Sequence, residues 1–394
     1  MRNELQNSIN IITNFIALFA LAIFVFSSCS PKGDGSLVFV NIGNSSVAVV
    51  NLDDVASELV SVPLSSLLEY CNLVQLESVE EAYVNPWTVT VSEKYIGIKD
   101  ILSMPTPYKL FERSGNFLTL ISSHGGGPGE FQTRIWDDAI DDENELVYLV
   151  ETFTDRVLVY STSGVFLKEF VMPHLVRFPS ISLHDKTLMV MHVPLEGQAK
   201  IFQFDVNTGE LLNQLSPPAH LFVQRVTPDD VVFNSRNVSG FVDVLSITDT
   251  LYRYDMKNNE LLPFFTMPYS SNENIWKQYM VINKDIVITR VHCFEESGIC
   301  RKSGLVAVDL RHKTSSFIQL TNDFFGNLSS SIDFYNIRNG YWTQSMMPEE
   351  LMDEIEDRLA ERDVSENDRT ALNKMLVLLQ DGANNLVFIG KLKE

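Results

Sequence analysis

Val157-Leu-Val-Tyr-Ser-Thr-Ser-Gly164-Val-Phe-Leu167 is an apolar run, a polar turn with a glycine and a second apolar run, the pattern of a β-hairpin. Four other stretches read alike: Tyr108-Lys-Leu-Phe-Glu-Arg-Ser-Gly115-Asn-Phe-Leu118, Ile201-Phe-Gln-Phe-Asp-Val-Asn-Thr-Gly209-Glu-Leu-Leu212, Leu251-Tyr-Arg-Tyr-Asp-Met-Lys-Asn-Asn259-Glu-Leu-Leu262 and, more loosely, Leu305-Val-Ala-Val-Asp-Leu-Arg-His-Lys313. Anchored on Phe111, Tyr160, Phe204, Tyr254 and Val308, they recur at spacings of 49, 44, 50 and 54 residues. A four-stranded antiparallel sheet with its connections takes about 40–50 residues. The repeat therefore predicts an all-β chain folded as a β-propeller.

Closure sets the number of blades. After Val308 the next matching strand is Leu386-Val-Phe-Ile-Gly-Lys-Leu392, and Phe388 lies 80 residues on. Within the excess, Leu351, Met352, Ile355 and Leu359, then Leu372, Met375, Leu376 and Leu379, fall at helical spacing. A helical insertion in the last blade is expected over about 347–381, capping one side of that blade. Its acids Glu349, Glu350, Asp353, Glu354, Glu356, Asp357 and Asp363 argue against docking on an anionic membrane. The C-terminus then supplies only the third strand of the last blade. Its fourth is expected from residues 71–77 (CNLVQLE), a swap that leaves no open sheet edge. The reading is a six-bladed β-propeller over residues 45–394.

The chain has 394 residues, 45% hydrophobic and 21% charged, enough for a large core. Thirty Lys plus Arg against 51 Asp plus Glu leave a net charge of -21. Such a surface repels polyanions, which argues against nucleic acid and heparin-like partners and leaves soluble sugars, peptides or cations open.

The N-terminus carries an address. Residues 1–14 hold Arg2 and a single acid, Glu4, and residues 15–26 (FIALFALAIFVF) are unbroken apolar, ending in Ser27-Ser28-Cys29. These are the parts of a secretory signal peptide over residues 1–28. The run is shorter than the ~18–20 residues that cross a bilayer. A Cys after two Ser resembles a bacterial lipobox, in which Cys29 is the lipidated first residue of the mature chain and residues 29–44 are a tether. The expected location is the cell envelope, as an outer membrane lipoprotein held by its lipid alone. An oxidising compartment permits a disulfide, and Cys293 and Cys300 are spaced to close a hairpin; free thiols are the other reading. No second Cys or His cluster stands at zinc spacing, so no metal and no cofactor is expected.

Several segments together resemble the six-bladed β-propeller lipoproteins of Bacteroides-type bacteria, which are related to NHL-repeat propellers. They are the lipobox, the strand Asn72-Leu-Val-Gln-Leu-Glu-Ser78, the loop Gly125-Gly126-Gly127-Pro128-Gly129-Glu130-Phe131, the following blade over residues 137–151 and the terminal stretch 384–393. The resemblance covers about residues 45–394. It implies a fold and an envelope location, often near glycan-utilisation systems, and brings no catalytic set.

The glycine-rich loop invites a phosphate-cradle reading, but no Gly-Lys-Ser/Thr follows it and Pro128 lacks a donor. A tight interblade turn is expected instead. Connections from the outer strand of one blade to the inner strand of the next converge on one face, so His124, Glu130, Arg134, Trp136, Arg177, Trp276 and Tyr279 are expected to rim the channel and bind ligand. Aromatic faces beside fixed polar groups suit a sugar or peptide. The acids Asp137, Asp138, Asp141, Asp142, Glu143 and Glu145 lack the spaced order of a calcium loop and are expected at a solvated hairpin tip. No Gly-x-Ser-x-Gly elbow or His-Glu-x-x-His motif is present. The favoured reading is a non-enzymatic module binding an extracellular or periplasmic glycan, peptide or protein. The alternatives are a propeller hydrolase or lyase acting on glycans, and a scaffold of an envelope complex.

Overall fold

Every hairpin of the repeat forms the outer half of a four-stranded sheet in the computed structural model, which describes residues 37–100, 105–222, 232–235, 241–244, 249–270, 275–293, 302–333, 335–379 and 383–394. Four strands precede the first complete sheet: β1 (Val38–Ile42), β2 (Ser45–Val49), β3 (Leu59–Pro63) and β4 (Leu68–Gln75). Blade 1 holds β5 (Pro86–Val91), β6 (Tyr95–Asp100), β7 (Tyr108–Glu112) and β8 (Phe117–Ile121). Blade 2 holds β9 (Ile135–Asp141), β10 (Leu146–Glu151), β11 (Thr154–Ser161) and β12 (Phe166–Val176). Blade 3 holds β13 (Ser180–His184), β14 (Thr187–Met191), β15 (Ile201–Asp205) and β16 (Leu211–Leu215). Blade 4 holds β17 (Val232–Ser235), β18 (Phe241–Val244), β19 (Thr250–Asp255) and β20 (Glu260–Thr266). Blade 5 holds β21 (Ile275–Val281), β22 (Ile286–Cys293), β23 (Gly304–Asp309) and β24 (Thr314–Asn322), extended by β25 (Leu328–Ser330). Blade 6 holds β26 (Ile337–Arg338), β27 (Tyr341–Met346) and β28 (Leu386–Leu392), and β4 is its fourth strand. The chain is a six-bladed β-propeller.

The third strand of each blade explains why the repeat is visible. Packed between neighbouring blades on both faces, it is apolar on both: Val157, Leu158, Val159 and Tyr160 of β11 are all buried. The outer strand β12 alternates instead, with Phe170 and Met172 buried and Leu167 and Val171 exposed. The turn between them needs a left-handed residue. Gly115, Gly164 and Gly209 meet this with φ of +97°, +85° and +74°, and Asn259 and Lys313 fill the same role in blades 4 and 5.

The ring closes through β4 (Leu68–Gln75) from the N-terminal side. β4 pairs antiparallel with β28 through seven partners, from Leu386 opposite Gln75 to Leu392 opposite Leu68. The strand begins three residues before the expected 71–77 and ends at Gln75, because Leu68, Cys71 and Leu76 are the side chains that reach the interblade cores. Cys71 is a buried free thiol, pushed up to about 12 by that burial.

The stretch 29–44, read as tether, contains a strand. β1 and β2 form a hairpin about Gly43 and Asn44, and β2 adds parallel to the outer edge of blade 4, Ala48 opposite Phe265. β3 adds parallel to the outer edge of blade 5, Leu59 opposite Phe317. The strap buries Val47, Ala48, Val50, Leu52 and Val55, an apolar set that a solvated tether would not carry. Residues 29–36, the signal peptide over 1–28 and Cys29 lie outside the described residues.

The helical insertion divides into α1 (Pro348–Ala360) and α2 (Glu366–Leu378), between the second and third strands of blade 6. Leu351, Ile355 and Leu372 are buried in the core that blades 5 and 6 share. The Glu350 carboxylate accepts the Met347 N–H, and Ser365 accepts the Asp368 N–H, so both helix starts are capped.

Candidate functional site

In a four-stranded meander the inner strand begins where the previous outer strand ends, and the second and third strands connect on the same face. That face, here the upper one, gathers the start of every inner strand around the channel. Three of the four tryptophans occupy the second position of an inner strand: Trp87 in β5, Trp136 in β9 and Trp276 in β21. The fourth, Trp342, is buried core.

The first two belong to a continuous aromatic collar. Trp87 and Trp136 meet edge to face with centroids 4.9 Å apart, Tyr335 lies 5.6 Å from Trp87, and Phe178 lies 4.9 Å from Trp136. Phe153, from the β10–β11 connection, lies 5.7 Å from Phe178. Phe153 and Phe178 both hold left-handed backbones, with φ of +57° and +47°. An aromatic residue there costs about 1–3 kcal/mol. Phe153 is nevertheless 53% exposed, so the strain sets its ring at the mouth and not in the core. Across the mouth, Trp276 packs 5.2 Å from His292, its cross-strand partner.

Two guanidiniums flank the collar. Arg134 lies over Trp87, 5.6 Å from the ring centroid. Arg177, just before Phe178, donates from Nη1 to Gln198 Oε1 at 2.9 Å. Nearby carboxylates are turned into the loops: Glu151 Oε2 accepts the Gln132 and Thr133 N–H groups at 2.7 and 2.5 Å, and Asp100 accepts the Asn85 N–H and Lys109 Nζ at 2.9 and 2.7 Å.

One residue below Trp136 on β9 lies a buried ion cluster. Arg338 of blade 6 reaches Asp137 Oδ1 at 3.0 Å and Asp138 Oδ1 at 3.2 Å. Lys99 of blade 1 lies 3.4 Å from Asp137 Oδ1 and bonds Asp138. Tyr108 Oη donates to Asp138 Oδ2 at 2.9 Å, and the Ile181 N–H of blade 3 donates to Asp137 Oδ2 at 2.7 Å. Four blades are thus tied together by two cations and two anions. Burial by itself would raise Asp138, but Arg338 and Lys99 outweigh it and hold its carboxyl well below the usual range. Burial draws Lys99 down to about 8, against the pull of Asp138, and pushes the Tyr108 hydroxyl up. A glycosidase needs one of two carboxyls kept protonated as its acid. Asp138, ionised and fully buried, does not supply it.

Arg134, Trp136 and Arg177 lie just before or at the inner-strand starts of blades 2 and 3, and Trp276 lies at that of blade 5. Tyr279 is not a rim residue. It is buried, donates to Asp249 O at 2.8 Å and packs on Phe265, because it lies three residues further down β21. His124 and Glu130 are held away from the inner strands: Gly129, with φ +75°, is pressed on Phe166 of the outer strand β12, where a Cβ would come within 2.4 Å of the ring. Glu130 Oε2 accepts the Gly127 N–H at 2.7 Å, so the loop's own carboxylate fills the cradle offered to a phosphate. Of the acidic run, Asp137 and Asp138 lie in the ion cluster and not at a solvated tip. Asp141 does cap that tip, accepting from the N–H groups of Glu143 and Asn144. Cys293 ends β22, and Cys300 lies outside the described residues.

The repeat does carry a signal for Trp87: it precedes Phe111 by 24 residues, as Trp136 precedes Tyr160. Nothing in the sequence marks Phe153, Phe178 or Tyr335, nor pairs Arg338 with carboxylates 200 residues away.

Comparison with known proteins adds a family and a fold. No curated protein matches the chain. Among solved structures, a Bacteroides fragilis protein named as an exported protein is similar at TM-score 0.54 and 15% identity, covering 86% of this chain and 100% of its own. A member of the DUF4221 family from Bacteroides vulgatus is similar at TM-score 0.45 and 10% identity, covering 83% and 98%. The family model described as Domain of unknown function (DUF4934) matches residues 47–391. That match runs from the strap to the last strand of blade 6, and the chain belongs to the DUF4934 family.

Proposed function

We propose that this protein is a lipid-anchored, NHL-like propeller of the bacterial cell envelope that binds a glycan, peptide or protein at its channel mouth without altering it. The observation that carries the reading is the collar of Trp87, Trp136, Phe178, Phe153 and Tyr335, in which Phe153 accepts a strained backbone and is left exposed at the mouth while Phe178 is buried against Trp136. Strain of that kind gathers at working surfaces. The envelope location rests on the apolar run over 15–26 with Cys29 behind it, and the name of the Bacteroides fragilis neighbour, an exported protein, is in keeping.

The two halves of the reading are tested separately. Cys29→Ala will leave an unprocessed or soluble precursor, since two or more acyl chains give stable anchoring that one chain does not. Normal processing with full membrane retention, read by fractionation and mass spectrometry, would refute the anchor. At the mouth, Trp136→Ala will cost a bound ligand about 1–3 kcal/mol, as truncation of an interface aromatic does. Trp136 is half-buried, so the stability loss stays below the ~3–5 kcal/mol of a core aromatic. Equal affinity in a folded variant would move the site elsewhere.

A further inference from the structure

The collar's chemistry narrows the class of ligand, an inference that rests on the mouth reading above. Trp87, Trp136 and Tyr335 stand within 4.9–5.6 Å of their neighbours. Such rings suit the apolar C–H face of a pyranose. Guanidiniums stand beside them, and the acid next to Tyr335, Asp333, is turned onto the Tyr335 and Asn336 N–H groups at 2.7 and 3.0 Å. Arg177's neighbour, the Gln198 carboxamide, is neutral, and it is fixed in place because its Oε1 also accepts the Leu195 N–H at 3.1 Å. Arg134 lies over the Trp87 ring. Glu151 and Asp100 are spent on backbone N–H groups and Lys109. A protein of charge -21 thus sets guanidiniums, the groups suited to bidentate carboxylate recognition, beside its aromatic collar.

We propose that the mouth binds a short saccharide carrying a carboxylate, a uronic acid, with its ring on Trp136 and its carboxylate on Arg177, with Arg134 beside it. A quaternary ammonium ligand would also favour the rings, but the Arg177 guanidinium repels it. A long polyanion would meet the acidic surface outside the mouth, so the ligand is short.

The test uses the full chain, with trigalacturonate and its fully methyl-esterified form as probes, two ligands of one shape that differ in charge. Binding is read by calorimetry and by tryptophan fluorescence. The acid is expected to bind at least about tenfold more tightly than the ester. Arg177→Gln is expected to remove the difference, and Trp136→Ala to weaken both ligands about tenfold or more. If acid and ester bind equally, or the ratio survives Arg177→Gln, the acidic-sugar assignment is wrong; the mouth reading then stands provided Trp136→Ala still weakens both. If Trp136→Ala leaves both unchanged, the mouth reading itself fails. Binding of neither probe at millimolar concentration overturns the uronic-acid proposal. Should Arg177→Gln not fold, Arg177→Lys and a salt series on the wild type take its place. Raising salt from about 0.05 to about 0.5 M must then compress the acid-to-ester ratio, and an unchanged ratio counts against the proposal.

Discussion

A chain that begins at Val79, without β1–β4, will not yield a soluble monomer. β28 would lose all seven partners of β4 and lie as a bare, apolar edge, while Leu68, Cys71 and Leu76 would leave the cores on either side of blade 6. Each fully buried leucine is worth roughly 1.5–3 kcal/mol, and a domain's whole margin is about 5–15 kcal/mol. The strap is lost as well, opening the edges of β20 and β24. A chain that begins at Leu64 keeps β4 and separates the two effects. It should close the ring and melt lower than the full chain, because only the strap is missing. Size-exclusion chromatography and thermal melting decide the matter. A Val79-start chain that is monomeric and melts like the full chain would refute closure by β4.

Arg338→Met will lower stability by about 3–5 kcal/mol in urea unfolding, the cost of leaving a buried charge without its partner. Among the described residues, Lys99 would then be the one cation left in contact with Asp137 and Asp138, in a site with little access to water. Arg338→Lys, which keeps the charge and loses the planar reach to several acceptors, should fall between the two. The pH dependence has a definite sign. Asp138 is held below the ordinary carboxylate range in the fold, so its stabilisation is complete above about pH 4 and is lost as acid protonates it. Wild type and Arg338→Met should therefore differ most at neutral pH and converge as pH falls. A constant difference across that range would show that Arg338 acts by packing and not by charge.

The two variants probe features of unequal visibility in the sequence. The hairpin repeat anchored on Phe111, Tyr160, Phe204, Tyr254 and Val308 was legible because a strand held between two blades is apolar on both faces and its turn needs a left-handed residue. Both constraints are local and recur in every blade. Closure from the N-terminal side followed from counting strands, and the helical insertion from three- and four-residue spacing. The strap was not legible: β1 and β3 are short alternating strands of a kind found anywhere in an all-β chain. Only the exposed edges of blades 4 and 5 give them partners.

The site divides along the same line. Arg134, Trp136 and Arg177 are assigned to the face that gathers the inner-strand starts because their position in the repeat, just before or at the start of an inner strand, decides which face they occupy. Tyr279 was misplaced by three residues of strand, about 10 Å of depth, and periodicity does not distinguish rim from core at that scale. His124 and Glu130 were misplaced because the glycine loop folds back on Phe166 of the next blade, a long-range contact with no local sign. The sequence by itself determined the number of blades, the face that gathers the inner-strand starts and the aromatic residues at two of them, since these depend on period alone. Tertiary structure decided which of them touch, that Phe153, Phe178 and Tyr335 join them, and that Asp137 and Asp138 meet Lys99 and Arg338. Closing the ring brings residues 38 to 201 positions apart into one buried cluster, where desolvation makes their charges interdependent.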